Sequence, residues 1–189
     1  MTRGLVEERK AAAKTAKTLA SYFADNYAGL DYMLTLDDGT LLTIRWEGGN
    51  LMHLCGLRYS LSEPQRRRRP RPGEATAFYE TARKRKLSAS MIGFDDDLRV
   101  VCRKLCLLPN LLSRRMSDIP DLLAVRSSKR GVDVFVGHAS WSLGSVFDDS
   151  GILHPSSFRA QDVRSVSLRP SGASVRSVVA ISFAPSPVS

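Results

Sequence analysis

Two β-prone runs, Tyr32-Met33-Leu34-Thr35-Leu36 and Thr40-Leu41-Leu42-Thr43-Ile44-Arg45-Trp46, flank Asp37-Asp38-Gly39. An Asp-Gly step between such runs is a strong short-range hairpin signal, because only small or turn-prone residues accept the backbone of a tight strand reversal. Upstream, Leu5 to Tyr27 is rich in Ala, Lys and Glu. Leu5, Ala12, Ala16, Leu19, Tyr22 and Phe23 recur at helical spacing, which predicts one long helix stopped near Gly29. Downstream, Ala75 to Arg85 reads as a short helix, and Asp95 to Asp97 as the start of a helix over Leu98 to Leu108. Carboxylates suit that end of the helix dipole. Pro109 is expected to end or kink it before Leu111 to Met116.

The second half changes character. Leu122 to Arg126, Val132 to Val136, Ser140 to Phe147, Val163 to Leu168 and Val175 to Phe183 read as short strands, the last two joined by a turn at Pro170-Ser171-Gly172. Helices first and an antiparallel meander afterwards indicate an α+β fold, N-terminal helices packed on a small antiparallel β-sheet. The division expected is an N-terminal helix over 1–29, one domain over 30–183 with a basic loop at 60–73, and a frayed tail over 184–189.

The chain has 189 residues and 43% hydrophobic composition, enough for a real core. Its formal charge of +9 is concentrated. Between Glu63 and Lys86, Arg66, Arg67, Arg68, Arg69, Arg71, Arg83, Lys84, Arg85 and Lys86 face Glu63, Glu74 and Glu80, a local excess of +6. Nucleic acid is the default occupant of such a patch, because cations that neutralise phosphates release condensed counterions. No basic amphipathic helix with a bulky apolar face supports a membrane surface instead. Cys55, Cys102 and Cys106 are too few and too oddly placed for a disulfide framework, and no paired Cys/His spacing points to a metal. The expectation is a reduced, cytoplasmic setting, with no signal peptide and no membrane span.

Asn50-Leu51-Met52-His53-Leu54-Cys55-Gly56-Leu57 places one of only three histidines in an apolar run just ahead of the arginines. Histidine takes and gives a proton near neutral pH, and arginine offers a planar fork that matches phosphate. That inventory suits metal-independent RNA cleavage, in which the substrate's own 2′-OH attacks the adjacent phosphate. The enzyme then removes one proton, returns another and stabilises the crowded phosphorane, with no cofactor required. The plainer alternative is a helix-start or core histidine beside a basic loop. Arg99 and Arg103 lie four apart on one helical face, as a phosphate clamp or a solvated face. Phe78 and Tyr79 fit core positions better than base-stacking platforms.

His53-Leu54-Cys55-Gly56-Leu57, Phe78-Tyr79, Arg85-Lys86-Leu87, the helix with Arg99, Arg103 and Lys104, and Pro155-Ser156-Ser157-Phe158 occur in an order that resembles the phage-associated barnase–EndoU–colicin–RelE-like (BECR) nucleases, in their fourth phage subgroup. The resemblance spans roughly Tyr32 to Phe183, most of the chain. It implies a BECR-like fold and a toxin-like endoribonuclease acting in phage–host conflict. It also implies His53 as general base or acid, Ser157 as the residue that binds or orients the scissile phosphate, and Lys86 with Arg99 or Arg103 as stabilisers of developing charge. His154, extended by the proline after it, is a second proton-transfer candidate or a surface histidine; His138 ranks behind it. The arginine run Arg66 to Arg71 lies outside the family pattern and reads as an RNA-binding guide rather than a catalytic group. A lethal nuclease would be expected to have an acidic antitoxin or immunity protein as partner. The alternative reading is a non-catalytic module whose basic loop grips nucleic acid or an acidic protein.

Overall fold

A computed structural model describes residues 3–59, 73–95, 97–127, 131–166 and 175–187. Arg66 to Arg69, Arg71 and the expected turn at Pro170-Ser171-Gly172 lie outside the described residues. In chain order the elements are α1 (Arg3–Asn26), β1 (Leu30–Leu36), β2 (Leu41–Trp46), α2 (Asn50–Cys55), β3 (Leu57–Tyr59), α3 (Glu74–Arg83), β4 (Ile92–Phe94) and α4 (Leu98–Leu112). Then come β5 (Leu123–Arg126), β6 (Val134–Gly137), β7 (Ser142–Phe147), β8 (Leu153–Arg159), α5 (Val163–Val166) and β9 (Val175–Pro185). The chain divides into two compact units, the first made of Met1–Ala28 and Gly48–Ser113, the second of Gly29–Glu47 and Arg114–Ser189.

The first unit is helical around a two-stranded antiparallel sheet, β3 with β4. Ala12, Ala16, Leu19, Ala20 and Phe23 form the buried stripe of α1, at the three- and four-residue spacing that the sequence shows. Phe23 meets the edge of Tyr79 from α3, ring centroids 5.6 Å apart. Asp97 caps α4 by accepting a hydrogen bond from the Arg99 N–H at 2.9 Å. Val101, Lys104, Leu105, Leu108, Leu111 and Leu112 are the buried face of that helix. Contrary to expectation, α4 runs through Pro109 to Leu112. Proline removes one N–H here, but the carbonyls of the last turn find other donors: Ser113 N–H bonds Pro109 O at 3.0 Å, Tyr27 Oη bonds Leu111 O at 2.9 Å, and Asn26 Nδ2 bonds Leu112 O at 3.0 Å.

The second unit corrects the expected sheet. It is a closed barrel in the order β1-β2-β8-β7-β6-β5-β9, with β9 returning to β1. The predicted hairpin is present, Leu30 opposite Trp46 through Thr35 opposite Leu41, with Gly39 at φ 82° in its turn. Two features close what would otherwise be an open meander. β9 pairs antiparallel with β5 at its start and with β1 along most of its length, and β2 meets β8 in parallel at Ile44 and Leu153. Both would-be edge strands thus find a neighbour, which removes exposed edges. Tyr32, Leu34, Ile44, Trp46, Val136, Leu143, Leu153 and Phe158 are wholly buried and alternate with outward positions such as Met33.

Three further expectations change. Val163 to Leu168 is not a strand where described: Val163–Val166 is a helical turn, started by Asp162, whose carboxylate accepts from the Arg164 N–H at 2.8 Å. Pro155 to Phe158, read only as a motif, lies within strand β8 (Leu153–Arg159), with Pro155 tolerated where the register shifts between Gly144 and Ser145. The tail is tied down at its start, since Pro185 pairs with Leu30 and the Ser186 N–H bonds Gly29 O at 2.8 Å.

Candidate functional site

The residues singled out from the sequence divide between the units. His53, Lys86, Arg99 and Arg103 belong to the first, His154 and Ser157 to the second. On α2, Leu51, Met52, Leu54 and Cys55 are buried, and their spacing turns His53 outward. His53 is exposed, and among the described residues its ring makes no hydrogen bond or ion pair. Gly56 ends the helix in the left-handed region, φ 67°, with its N–H on His53 O at 3.0 Å. This glycine of the His-Leu-Cys-Gly-Leu segment is therefore a backbone requirement of the short helix.

Arg99 and Arg103 stand on the solvent side of α4, and Lys104 on its buried side. Arg83 and Lys84 share Glu80, at 3.4 and 3.7 Å, whereas Arg85 and Lys86 just beyond α3 are exposed and carry no carboxylate partner among the described residues. Cys55 lies buried on the inner side of α2, and burial pushes its thiol up to about 12, so it stays protonated and inert. Cys106 is exposed.

Ser157 is differently placed. Its Oγ is buried without a hydrogen-bond partner among the described residues, and it stands over Gly144 on the strand beside it. His154, three positions earlier, belongs to a polar cluster that sequence reasoning missed. Its Nε2 lies 3.0 Å from Asp148 Oδ2, and its Nδ1 4.0 Å from Glu47 Oε1. Asp148 sits in the turn joining β7 to β8 and also accepts from the Ser150 and Ile152 N–H groups, both at 2.9 Å. The His154 ring, and then these backbone donors, hold the Asp148 carboxyl below the usual range. Alongside, Arg45 grips Asp31 through two hydrogen bonds, at 2.9 and 2.7 Å, and the Ser186 hydroxyl donates to the same carboxylate. The Arg45 bonds outweigh burial and keep Asp31 low.

An imidazole braced by one carboxylate and facing a second has the parts of an acid–base group, with Asp148 orienting the ring. The available signal was the Asp148-Asp149-Ser150-Gly151 turn six residues ahead of His154. His138 turns the chain between β6 and β7, its backbone N–H on Trp141 O and its carbonyl accepting from Val163. Among the described residues, no group of three or more His, Cys, Asp or Glu side chains is placed to hold a metal ion, and no helix is long and apolar enough to cross a membrane. Comparison with protein-family models, with curated proteins and with solved structures finds no match to this chain.

Proposed function

We propose that this chain binds RNA through the basic surface of its first unit. The observation that carries the reading is the exposure of Lys84, Arg85, Lys86, Arg99 and Arg103, in the unit whose sequence also holds the run Arg66 to Arg71. Most of these charges are not consumed by local carboxylates, so they remain available for phosphates. Fluorescence anisotropy with a labelled single-stranded RNA, from about 50 to about 300 mM salt, tests it: affinity should fall steeply, with a log–log slope of about −0.7 per phosphate contacted. Replacing Lys84, Arg85 and Lys86 together by Glu should weaken binding at least ~10-fold and flatten that slope. Equal affinity of the variant and the native protein would sink the proposal.

The exposed, unengaged imidazole of His53 in the same unit favours a second reading, a metal-independent endoribonuclease, toxin-like in use. His53 would there transfer the proton, with Lys86 and Arg99 or Arg103 offsetting charge on the phosphorane. The protein incubated with total RNA in EDTA should cleave it, and His53→Ala should remove most of that activity while leaving the affinity for RNA intact. Cleavage that survives in His53→Ala and stops in His154→Ala would move the chemistry to the Asp148–His154 pair.

A further inference from the structure

Where α3 ends, the chain reads Arg83-Lys84-Arg85-Lys86-Leu87-Ser88-Ala89-Ser90. The four cations are exposed and Leu87 is buried, while Ser88 lies half-buried in extended backbone, φ −116° and ψ 163°. Lys86 to Ser88 belong to neither helix nor strand. Ser88 precedes a single 3-10 turn, Ala89–Met91, without capping it through its side chain. Among the described residues, the hydrogen-bond partner of its Oγ is the Ser90 Oγ, 2.9 Å away at the surface. A change of chemistry at this hydroxyl therefore breaks no bond that holds the fold together.

The charges around Ser88 are unevenly matched. Glu80 already serves Arg83 and Lys84, whereas Arg85 and Lys86 have no carboxylate partner among the described residues. A phosphoserine carries about −1.5 to −2 charges at neutral pH and three strong acceptor oxygens. It would match the two unpaired cations, which stand three and two residues ahead of Ser88. The spacing also supplies a recognition signal. Guanidinium forks three and five residues before a hydroxyl can each pair with a carboxylate in an acidic substrate groove. Ser117 and Ser167 also follow an arginine by three residues, but Leu112 and Asp162 stand five before them. Of the serines and threonines in the chain, Ser88 alone has arginine at both positions, Arg85 and Arg83.

We infer that Ser88 is a phosphorylation site for an arginine-directed serine kinase, and that its phosphate releases RNA by occupying Arg85 and Lys86. The second half of that statement rests on the RNA-binding reading. In the transfer, Ser88 Oγ forms a bond to the γ-phosphorus of ATP, and the bond from that phosphorus to the β–γ bridging oxygen breaks. ADP leaves, and the hydroxyl proton passes to the carboxylate base of the kinase. The phosphate then accepts charge-assisted hydrogen bonds from Arg85 and Lys86, and the surface loses about two of the charges that displace counterions from RNA.

Incubation of the folded protein with ATP and protein kinase B, which selects arginine at those two positions, tests the site by peptide mass spectrometry. A phosphoryl group should appear on Ser88, and Arg85→Gln should slow its incorporation about ten-fold or more. No incorporation, or incorporation at Ser117 without Ser88, would overturn the inference. RNA anisotropy at about 100 mM salt should then show the phosphorylated protein binding about ten-fold or more weakly than the unmodified one, with a flatter salt slope. Ser88→Ala carried through the same incubation should keep the unmodified affinity. Full phosphorylation of Ser88 with RNA affinity unchanged would equally overturn it. Unmodified protein that fails to bind RNA would sink the RNA reading instead. The mass spectrum would still score the site, and ¹⁵N amide shifts at Arg85 and Lys86 would score the grip of its phosphate.

Discussion

Gly144 has no room for a side chain. A Cβ there would stand 2.5 Å from Ser157 Oγ, 2.9 Å from Phe135 Cε1 and 3.1 Å from Val132 Cγ1. Gly144→Ala should therefore destabilise the second unit by about 1–3 kcal/mol, the usual cost of overpacking. Both tryptophans, Trp46 and Trp141, are buried in that unit, so urea unfolding followed by tryptophan fluorescence reads the loss directly. Ser157→Ala should do the opposite. It removes a buried hydroxyl without a hydrogen-bond partner, so stability should hold or rise by up to about 1 kcal/mol. Loss of RNA cleavage in a fully folded Ser157→Ala protein would return that hydroxyl to the catalytic set. At this scale the sequence offers both His53 and His154 as candidates, but it announces the partners of neither. An outward histidine follows from apolar residues at 51, 52, 54 and 55 on one short helix, whereas the contacts of His154 with Glu47 need a strand pairing that no local pattern announces.

Elements declare themselves when their ends carry chemistry. The long amphipathic stripe of α1, the Asp-Gly turn of the first hairpin and the carboxylates ahead of α4 all lie where local reasoning puts them. Asp97→Ala removes the hydrogen bond to the Arg99 N–H and should cost about 1 kcal/mol. Helical circular dichroism during urea unfolding checks it, since the long helices lie in the first unit. An unchanged midpoint would mean that the capping bond is replaced by water at no cost. Failures of local reasoning have tertiary causes. Pro109 does not stop α4, because Asn26 at the end of α1 and Tyr27 just beyond it supply donors from more than eighty residues away. Val163-Arg164-Ser165-Val166 has the alternation of a strand, but Asp162 competes for its backbone and Val163 is buried beside Phe135. β8 hides behind Pro155, a residue that ordinarily argues against a strand interior.

For the whole molecule, the α+β class was readable and the closure of the barrel was not. Closure rests on β9, whose pairing with β1 shifts register between Thr35 and Leu36, and on one parallel contact between β2 and β8. Neither leaves a trace in hydrophobic period. The closed barrel also sets the response to acid. Asp31 and Asp148 have folded-state pKa values below their ordinary 3.8. Their contribution to stability is thus complete above the ordinary carboxylate value and is lost as pH falls through the lowered ones. Tryptophan-monitored urea midpoints should hold steady from neutral pH down to about 5 and drop below about 4. Asp31→Asn should start lower at neutral pH, because Arg45 loses its charged neighbour, and should decline less on acidification. A variant that tracks the native protein's acid drop would place the proton uptake elsewhere.

The order in which the chain visits its two units also bears on how it is made. It passes from the first to the second at residue 29, back at 48, and across again at 114. A ribosome reading from the start releases every segment of the helical unit once residue 113 has emerged. The β1–β2 hairpin, released far earlier, waits for β8 and β9 before its strands have neighbours on both sides. Through that interval the side of the hairpin carrying Tyr32, Leu34, Ile44 and Trp46 has no barrel to enter. Nascent chains are most vulnerable to mispairing and to chaperone capture at such a stage, so slow decoding between 114 and 152 would lengthen the window in which this hairpin can go astray.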